Sequence, residues 1–407
     1  MKIYTCALLF ILIGITNIHA QKGWVAQVSG TANNLHGIFF LDSNNGTVVG
    51  NNGTILHTIN GGATWTVQTS GTTANLLGVY FIDTANAVAV GNSGAIIKTT
   101  NGGLTWSSQT SGTVNSLYVV QFTTPSIGIT MGRVGTIVQT TNAGTSWTAQ
   151  VSGTTNTLRG LFFNDVNTGT IVGDTGLVIH TTNSGSTWTK QPSGTTNALR
   201  SVFFTGVNSG TAVGDTGTII STTNGGSTWT KQLSGANTLS GVFYTSASTG
   251  IIVGDAGTIL RTSDGGSTWA KQTTSEINNL QSIYFTDLNN GWIIGDKGTI
   301  LHTTNGGVTD VDDNVENGEH PGYILKQNYP NPFNPSTTIT FAIPKATYVE
   351  LSIFNAIGQK VSTLISKSLN AGEHTVHWNA NGFTNGVYYC RIQADSFIDS
   401  KKLLLIK

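Results

Sequence analysis

The stretch GTILRTSDGGSTWAKQ, residues 257–272, is the clearest copy of a segment that recurs through most of the chain. Its tryptophan has equivalents at regular intervals, in steps of 41 residues with a final step of 40. The seven tryptophans are Trp24, Trp65, Trp106, Trp147, Trp188, Trp229 and Trp269. A repeat of this length is typical of solenoids, propellers and related arrays, so the repeat decides the fold.

Each repeat contains four short runs rich in Val, Ile, Thr and aromatic residues. In the first repeat these runs are 35–40, 47–50, 54–58 and 65–68. Short runs of this composition, separated by Gly, Asn and Ser, predict strands joined by tight turns. No segment offers ten residues of helical periodicity, which argues against a helical solenoid. Four strands in about 40 residues indicate a blade of a β-propeller, and therefore an all-β fold.

The ends of the repeat region predict how many blades there are and how the ring closes. A Gly-x-x-Gly turn occurs seven times, opening at Gly50, Gly91, Gly132, Gly173, Gly214, Gly254 and Gly295. The seventh repeat ends at residue 309 without a tryptophan, whereas the segment 24–27 carries a tryptophan and stands alone near the N-terminus. We expect this segment to supply the last strand of the seventh blade, because closure removes an open sheet edge.

A second turn, Thr-x-Asn-x-Gly-x-x-Trp, precedes the six tryptophans from Trp65 to Trp269, and a seventh copy without the Trp ends the last repeat. Its amide or carboxylate bonds the backbone of its own turn, Gly supplies a positive φ, and Trp packs between sheets. The Asn or Asp positions are Asn60, Asn101, Asn142, Asn183, Asn224, Asp264 and Asn305. The turn resembles the Asp-box of sialidases, sortilin-type receptors and xyloglucanases. Across residues 22–309 the repeat is similar to the propeller of the photosystem II assembly factor family. The resemblance implies a scaffold, with a structural rather than catalytic box.

The charge of the chain limits its partners, and its N-terminus indicates export. The formal net charge is zero and only 9% of residues are charged, which argues against nucleic acid or an anionic surface as partner. Residues 1–20, a Lys followed by an apolar stretch and a final Ala20, predict a secretory signal peptide. Cys6 precedes the apolar core, so we do not expect lipidation. Removal of the signal leaves Cys390 alone, without a disulfide partner. We expect a monomer that needs no cofactor, no metal and no membrane span.

An acidic segment, residues 310–322, follows the repeats. It reads DVDDNVENGE at 310–319, with five acids and no base, which favours an extended, solvated linker. Asp310, Asp312 and Asn314 have the spacing that opens a calcium loop. Val315, however, occupies the position that must be Gly, and no Glu closes the loop.

Residues 323–407 have a different composition and predict a small β-sandwich. Alternating runs at 338–342, 349–354, 374–378 and 387–392 read as strands. The motifs QNYPNPFNP at 327–335, IFNAIGQ at 353–359, GVYY at 386–389 and KKLLLIK at 401–407 closely resemble the type A C-terminal sorting domain of the type IX secretion system. That resemblance implies export across an outer membrane, with Lys401, Lys402 and Lys407 in the sorting signal. It also implies contact with the secretion machinery, and release or surface attachment after cleavage by a sortase-like peptidase.

Candidate ligand-binding residues follow from the turns. In a four-stranded blade, the Gly-x-x-Gly turn and the loop that enters the first strand share one face, opposite the Asp-box turn. Two positions on this face carry most of its polar side chains. The first position directly follows the opening Gly of the turn, and in four repeats it is occupied by Asp174, Asp215, Asp255 and Asp296, which we expect to form an acidic arc. In the other three repeats the same position is occupied by Asn51, Asn92 and Arg133. The second position lies where the chain enters the first strand, and its candidate residues are His36, Tyr118, Arg159 and Arg200. Asp and Asn also simply favour such turns, so both interpretations remain open.

The sequence favours a secreted or cell-surface binding propeller, for a polysaccharide or a protein, without catalysis of its own. One alternative is an extracellular glycoside hydrolase that uses these Asp residues as acid and base. The near-uniform repeat length leaves no long loops to build a cleft, and no sialidase-like arginine set is present. His57, His180 and His302 occupy one equivalent position in separate repeats and so cannot share a metal. A photosystem assembly role, implied by the family resemblance, is a further alternative.

Overall fold

The computed structural model describes residues 23–232, 235–272, 274–308, 323–355, 359–394 and 397–406. The chain divides into two compact units, Met1–Val311 and Asp312–Lys407. The predicted signal peptide and the predicted linker at 310–322, with its alternative calcium loop, lie outside the described residues.

The described part of the first unit forms seven four-stranded antiparallel sheets, which we number as blades 1 to 7. Blade 1 comprises Leu35–Phe40, Gly46–Gly50, Ile55–Thr58 and Thr66–Gln68, and blade 2 comprises Leu76–Phe81, Ala87–Gly91, Ile96–Thr99 and Ser107–Gln109. Blade 3 comprises Leu117–Phe122, Gly128–Gly132, Ile137–Thr140 and Thr148–Gln150. Blade 4 comprises Leu158–Phe163, Gly169–Gly173, Leu177–Thr181 and Thr189–Gln191. Blades 5 to 7 comprise Leu199–Phe204, Gly210–Gly214, Ile219–Thr222 and Thr230–Lys231; Leu239–Tyr244, Gly250–Gly254, Thr258–Thr262 and Ala270–Lys271; and Leu280–Phe285, Gly291–Gly295, Ile300–Thr303 and the N-terminal Val25–Gln27.

The ring closes as the sequence predicts. Val25–Gln27 pairs antiparallel with the third strand of blade 7, with Val25 opposite His302 and Gln27 opposite Ile300. The first strands of neighbouring blades contact one another around the whole ring, including those of blades 1 and 7. The prediction of a closed seven-bladed propeller is therefore confirmed.

Burial between blades supplies the core. The second strand of every blade is buried along its whole length, because both faces of each sheet pack on a neighbouring sheet. Trp24 lies in the cluster between blades 6 and 7 and meets Phe285 edge-to-face at 5.9 Å. The same edge-to-face contact joins Trp65 to Phe40 at 6.1 Å in blade 1. Buried aromatic pairs of this geometry add stability beyond the area that they bury.

Hydrogen bonds within the Asp-box turn explain its composition. In blade 1, the Thr58 hydroxyl donates to Asn60 Oδ1 at 2.9 Å and accepts from the Gly62 N–H at 2.8 Å. The Thr64 N–H also donates to Asn60 Oδ1, at 2.9 Å. At the one box that carries Asp, hydrogen bonds from Thr268 and Thr262 lower the pKa of Asp264 to about 2. The box side chains are thus used by their own turn.

The second unit contains two sheets around one apolar cluster, a β-sandwich. One sheet holds Ile324–Leu325, Ser336–Ile343 and Gly372–Asn379; the other holds Lys360–Leu369, Thr347–Asn355, Gly386–Ala394 and Phe397–Leu405. Phe341, Leu351 and Trp378, which come from both sheets, share the cluster. The Tyr388 hydroxyl donates to the Thr384 carbonyl at 2.8 Å, an arrangement like the tyrosine corner of immunoglobulin-like sandwiches.

The motif at 327–335 fastens the last strand of this unit. The carbonyl of Lys402 accepts hydrogen bonds from Gln327 Nε2 at 2.7 Å and from Asn331 Nδ2 at 3.0 Å. The Phe333 N–H donates to the Leu404 carbonyl at 3.0 Å. Two motifs far apart in sequence therefore form one structural unit, with Lys402 exposed and Lys401 paired to Asp399 at 3.1 Å. Lys407 lies outside the described residues.

Candidate functional site: the channel mouth

Backbone hydrogen bonds assign the turns to two opposite faces. In blade 3, the Arg133 N–H donates to the Ser116 carbonyl and the Gly135 N–H donates to the Asn156 carbonyl, both at 2.9 Å. The Gly-x-x-Gly turn is thus held between the loops that enter blades 3 and 4. On the opposite face, the Asp-box turn bonds the turn between the first two strands, as from Ala143 to Ser126 at 2.9 Å. We call the first of these the turn face.

Each Gly-x-x-Gly turn has a fixed backbone shape that directs its second residue outward. Its third residue is left-handed, with φ of 54° at Val134 in blade 3. The closing Gly has a positive φ, and a Cβ at Gly135 would lie 1.9 Å from the Thr154 carbonyl oxygen. Only glycine fits there. In described blades 1 to 5 and 7 the turn forms a short 3-10 helix.

A central channel of about 480 Å³ opens between the first strands of the seven blades. Its lining consists of the second to fifth residues of each first strand. The residues at the channel mouth, next to the turn face, are His36, Leu77, Tyr118, Arg159, Arg200, Ser240 and Gln281. All are half-buried. The structure therefore brings the predicted His36, Tyr118, Arg159 and Arg200 together around one opening.

Two of the four carboxylates of the predicted acidic arc are paired with arginines. Arg159 forms a two-pronged ion pair with Asp174, through Nε to Oδ1 and through Nη2 to Oδ2. Arg200 pairs with Asp215 one blade further on, through Nε to Oδ1 alone. Burial opposes the charge of Arg159, but the bond and charge of Asp174, with help from Tyr118 and Asp215, raise the pKa of its guanidinium. Both partners are about one-third exposed in each pair, so the pairs lie at the surface of the mouth.

The pairing recurs at the same spacing in other blades. In blade 1, His36 Nε2 lies 2.8 Å from Asn51 Oδ1. In blade 7, Gln281 Nε2 donates to Asp296 Oδ1 at 3.1 Å. In all four blades the partners are fifteen residues apart, because the residue that enters the first strand faces the residue that follows the second strand. Sequence reasoning missed this link, although Arg with Asp at a common spacing in two repeats was a usable signal.

Two of the charged residues that follow the opening Gly of a turn have no such partner. Arg133, in blade 3, is exposed, and no acidic group within the described residues pairs with it. Asp255, in blade 6, has Ser240 at the paired position and no side-chain hydrogen bond among the described residues. Both carry charge that remains available to a ligand.

A belt of aromatic side chains lies deeper in the channel, and sequence analysis missed it. The fifth residue of the first strand is aromatic in six blades: Phe39, Tyr80, Phe162, Phe203, Phe243 and Tyr284. Blade 3 has Gln121 instead. Burial, followed by the proximity of Tyr80, raises the pKa of Tyr284 to about 12. The signal in the sequence was an aromatic residue at this position in six of the seven repeats.

Searches of the described residues for metal-ligand clusters and for membrane-spanning helices gave none. No group of three or more His, Cys, Asp or Glu side chains could hold an ion there. Within the same residues, no helix has the length and apolar character to cross a bilayer. Burial raises the pKa of the Cys390 thiol to about 12, which makes it unreactive at neutral pH.

Comparison with known proteins identifies the family. Residues 16–162, 112–237 and 231–317 match the family model described as photosynthesis system II assembly factor YCF48. A structure titled "YCF48 bound to D1 peptide" is similar, with 23% identity, a TM-score of 0.62, and coverage of 70% of this chain and 96% of that one. YCF48 from Cyanidioschyzon merolae is also similar, with 20% identity, a TM-score of 0.60, and coverage of 69% and 98%. No curated protein matches.

The second unit has its own match. Residues 327–407 match the family model described as a secretion system C-terminal sorting domain, which indicates export by the type IX secretion system to the cell surface or the extracellular space. The chain thus belongs to the YCF48 photosystem II assembly factor family and carries a C-terminal secretion sorting domain in addition to its propeller.

Proposed function

We propose that this protein is an exported, non-catalytic propeller that binds an acidic segment of another protein at the channel mouth. The observation that carries the proposal is Arg133, an exposed guanidinium without an acidic partner among the described residues. It lies on the same face as Tyr118 and two preformed Arg–Asp pairs. A free guanidinium binds carboxylates with paired, charge-assisted hydrogen bonds. Asp255 offers an opposite charge on blade 6, which would fix the direction of a bound segment.

The family supports a protein ligand over a polysaccharide. One similar structure is titled as holding a peptide of D1, so this fold can present a peptide-binding surface. The notion of a photosystem partner has less support, because the sorting domain directs this chain out of the cell. We therefore place the ligand outside the cell or at its surface.

The carboxylates of the mouth suit binding better than glycoside cleavage. A glycosidase needs one carboxyl group that holds a proton and a second that is free to act as base or nucleophile. Asp174 and Asp215 each pair with an arginine, and Asp296 accepts hydrogen bonds from Gln281 and Asn279 at 3.1 Å. Three of the four candidate carboxyl groups are thus already bonded to protein partners.

Replacing Arg133 tests the proposal. The substitution Arg133→Asn keeps the turn, because Asn fills this position in blades 1 and 2. The probe is a fluorescein-labelled peptide of alternating Asp and Gly around one central Phe. We expect Arg133→Asn to weaken its binding about tenfold or more, the loss typical of a hydrogen bond to a charged group. Fluorescence anisotropy at two salt concentrations provides the measurement.

The matched control is Lys297→Asn, which removes one positive charge from the same face in blade 7. Asn suits that left-handed position, as Asn52 does in blade 1. The control variant should bind like the unmodified protein. Equal weakening by both substitutions, or equal binding of a peptide with Lys in place of Asp, would contradict the proposal.

We further propose that the sorting domain is removed after export, as its family resemblance implies. The secreted form should then be lighter than the chain without its signal peptide by about the mass of residues 323–407. Intact-mass measurement of the protein from the medium and from the cell surface checks this. Recovery of the intact second unit in both fractions would rule removal out.

A further inference from the structure

The channel has a polar mouth and an aromatic floor. The six rings of the belt form one continuous chain of contacts across blades 2, 1, 7, 6, 5 and 4. In that order the ring centroids are 4.8, 5.2, 5.6, 5.0 and 4.7 Å apart, from Tyr80 through Phe39, Tyr284, Phe243 and Phe203 to Phe162. All six side chains are only partly buried and line the cavity, so they present apolar surface to whatever enters from the mouth.

The chain of rings is open at blade 3. Gln121 takes the place of the seventh ring, and no direct ring contact spans from Tyr80 to Phe162 among the described residues. The Gln121 Oε1 atom accepts a hydrogen bond from the Phe163 N–H at 3.2 Å, which fixes the side chain. Its Nε2 group has no protein acceptor among the described residues and faces the cavity that it lines. The belt therefore has one gap, with a polar group at its edge.

Blade 3 differs from the other six blades at two positions around the channel. It has Gln121 in the belt, where the other blades have an aromatic residue, and Arg133 in the turn, where the other blades have Asn or Asp. The strands of blade 3 pair in the same register as those of blades 1 and 2. The strand pairing of blade 3 does not require Gln121 or Arg133, and their occurrence in the same blade favours a ligand contact there.

The environment of the belt is poorly solvated. Burial raises the pKa of Tyr80 as well as that of Tyr284. A cavity of about 480 Å³ is within the usual size of ligand sites. The well is large enough for one bulky side chain, and not for a folded element.

We infer that the bound segment inserts one large apolar side chain into the channel at the blade 3 gap, between Tyr80 and Phe162, with Gln121 hydrogen-bonded to its backbone. This inference rests on the proposed binding at the mouth and names the residue type that the site selects. An acidic segment with an aromatic or large aliphatic residue would contact both the Arg133 guanidinium on the turn face and the aromatic rings of the belt. Burial of such a side chain contributes about 1.5–3 kcal/mol, or about tenfold to a hundredfold in affinity.

Two labelled peptides test the inference. Both alternate Asp and Gly, and they differ only in a central Phe or Ala. We expect the unmodified protein to prefer the Phe peptide about tenfold or more. The substitution Gln121→Phe completes the belt with the residue type of the other blades and should abolish the preference while the Ala peptide binds as before. Gln109→Phe, which adds the same ring on an outer strand, should leave the preference intact.

The outcomes separate the inference from the proposal on which it rests. Equal affinity of the unmodified protein for both peptides, with the dependence on Arg133 retained, would refute insertion and leave binding at the mouth. Binding of neither peptide would refute both. Should Gln121→Phe fail to fold, a peptide with benzoylphenylalanine at the centre gives an independent readout. Its photocrosslinks should fall on residues 118–121 and 159–162, and crosslinks confined to the Asp-box face would overturn the insertion.

Discussion

At the scale of single residues, three histidines make stability depend on pH. His57, His180 and His302 occupy the same position in the third strands of blades 1, 4 and 7. Thr hydroxyls lie 3.0 and 3.1 Å from Nδ1 of the first two, and His302 stacks on Trp292 at 4.6 Å. Burial lowers the pKa of all three.

The sign of the effect follows from linkage. Above the ordinary histidine pKa of about 6.5 both states are neutral and stability is complete. As the pH falls through that value, the unfolded chain binds protons before the folded chain does, so stability decreases. We expect the melting temperature to fall between pH 7.5 and pH 5, and the fall to be smaller in a His57→Gln, His180→Gln, His302→Gln variant. Calorimetry over this pH range measures both melting temperatures. An equal fall in the unmodified protein and in the variant would contradict the assignment to these histidines.

Individual contacts of the mouth were the least predictable feature. The positions of Arg159 and Asp174 on one face followed from the order of strands and turns. That they bond each other depends on the stagger between the first two strands, where a register shift falls next to Arg159. A repeat pattern predicts which face a residue occupies, but not the local irregularity that brings two side chains into contact.

At the scale of elements, a glutamine next to the outer strand links neighbouring blades at three places among the described residues, through Gln27, Gln68 and Gln272. It lies three residues after the tryptophan in every copy, as in Trp24 and Gln27. Gln27 Oε1 accepts from Trp65 Nε1 at 3.3 Å, and Gln68 Oε1 accepts from Trp106 Nε1 at 3.4 Å. Each of these glutamines thus links its blade to the tryptophan of the next blade.

Gln272 carries this link at the closure of the ring. It is buried, accepts from Trp24 Nε1 at 3.1 Å and donates to the Gly307 carbonyl at 2.6 Å. We expect Gln272→Ala to reduce the free energy of unfolding by about 1–3 kcal/mol, since it leaves buried polar groups without partners. Gln109→Ala is the control, because Gln109 bonds only Ser107 of its own strand and Trp147 bonds Gly144 instead. Urea unfolding that shows equal losses for the two variants would argue against the link.

Strands were predictable where the sequence repeats and less so where it does not. In blade 1 the predicted runs differ from the observed strands by one residue at most. In the second unit, the strands Lys360–Leu369 and Phe397–Leu405 were not predicted. Lys360–Leu369 alternates poorly, and its residues are mostly exposed or half-buried, so apolar periodicity does not mark it.

At the scale of the whole molecule, closure creates the channel on which the proposed function depends. A linear stack of the same sheets would have no central well, no shared mouth and two open edges. The missing tryptophan at the end of the seventh repeat and the extra one at the N-terminus were enough to predict closure. The identity of the ligand was not predictable, because it depends on a few exceptions within blade 3 rather than on the repeat itself.

The most direct test of closure is a disulfide between Val25→Cys and His302→Cys, which are Cα partners across the last sheet. Cross-strand partners have the separation that a disulfide requires. Cys390 is buried, with a pKa of about 12, and should not compete. The equivalent pair His57→Cys and Thr66→Cys within blade 1 is the control for geometry.

We expect both pairs to oxidise within one chain, as judged by the mass of nonreduced proteolytic fragments. The 25–302 bond should raise stability by about 2–4 kcal/mol because it spans nearly the whole propeller. If the blade 1 pair oxidises while the 25–302 pair stays reduced or links only separate molecules, the ring is not closed by this strand and the account of the channel is wrong.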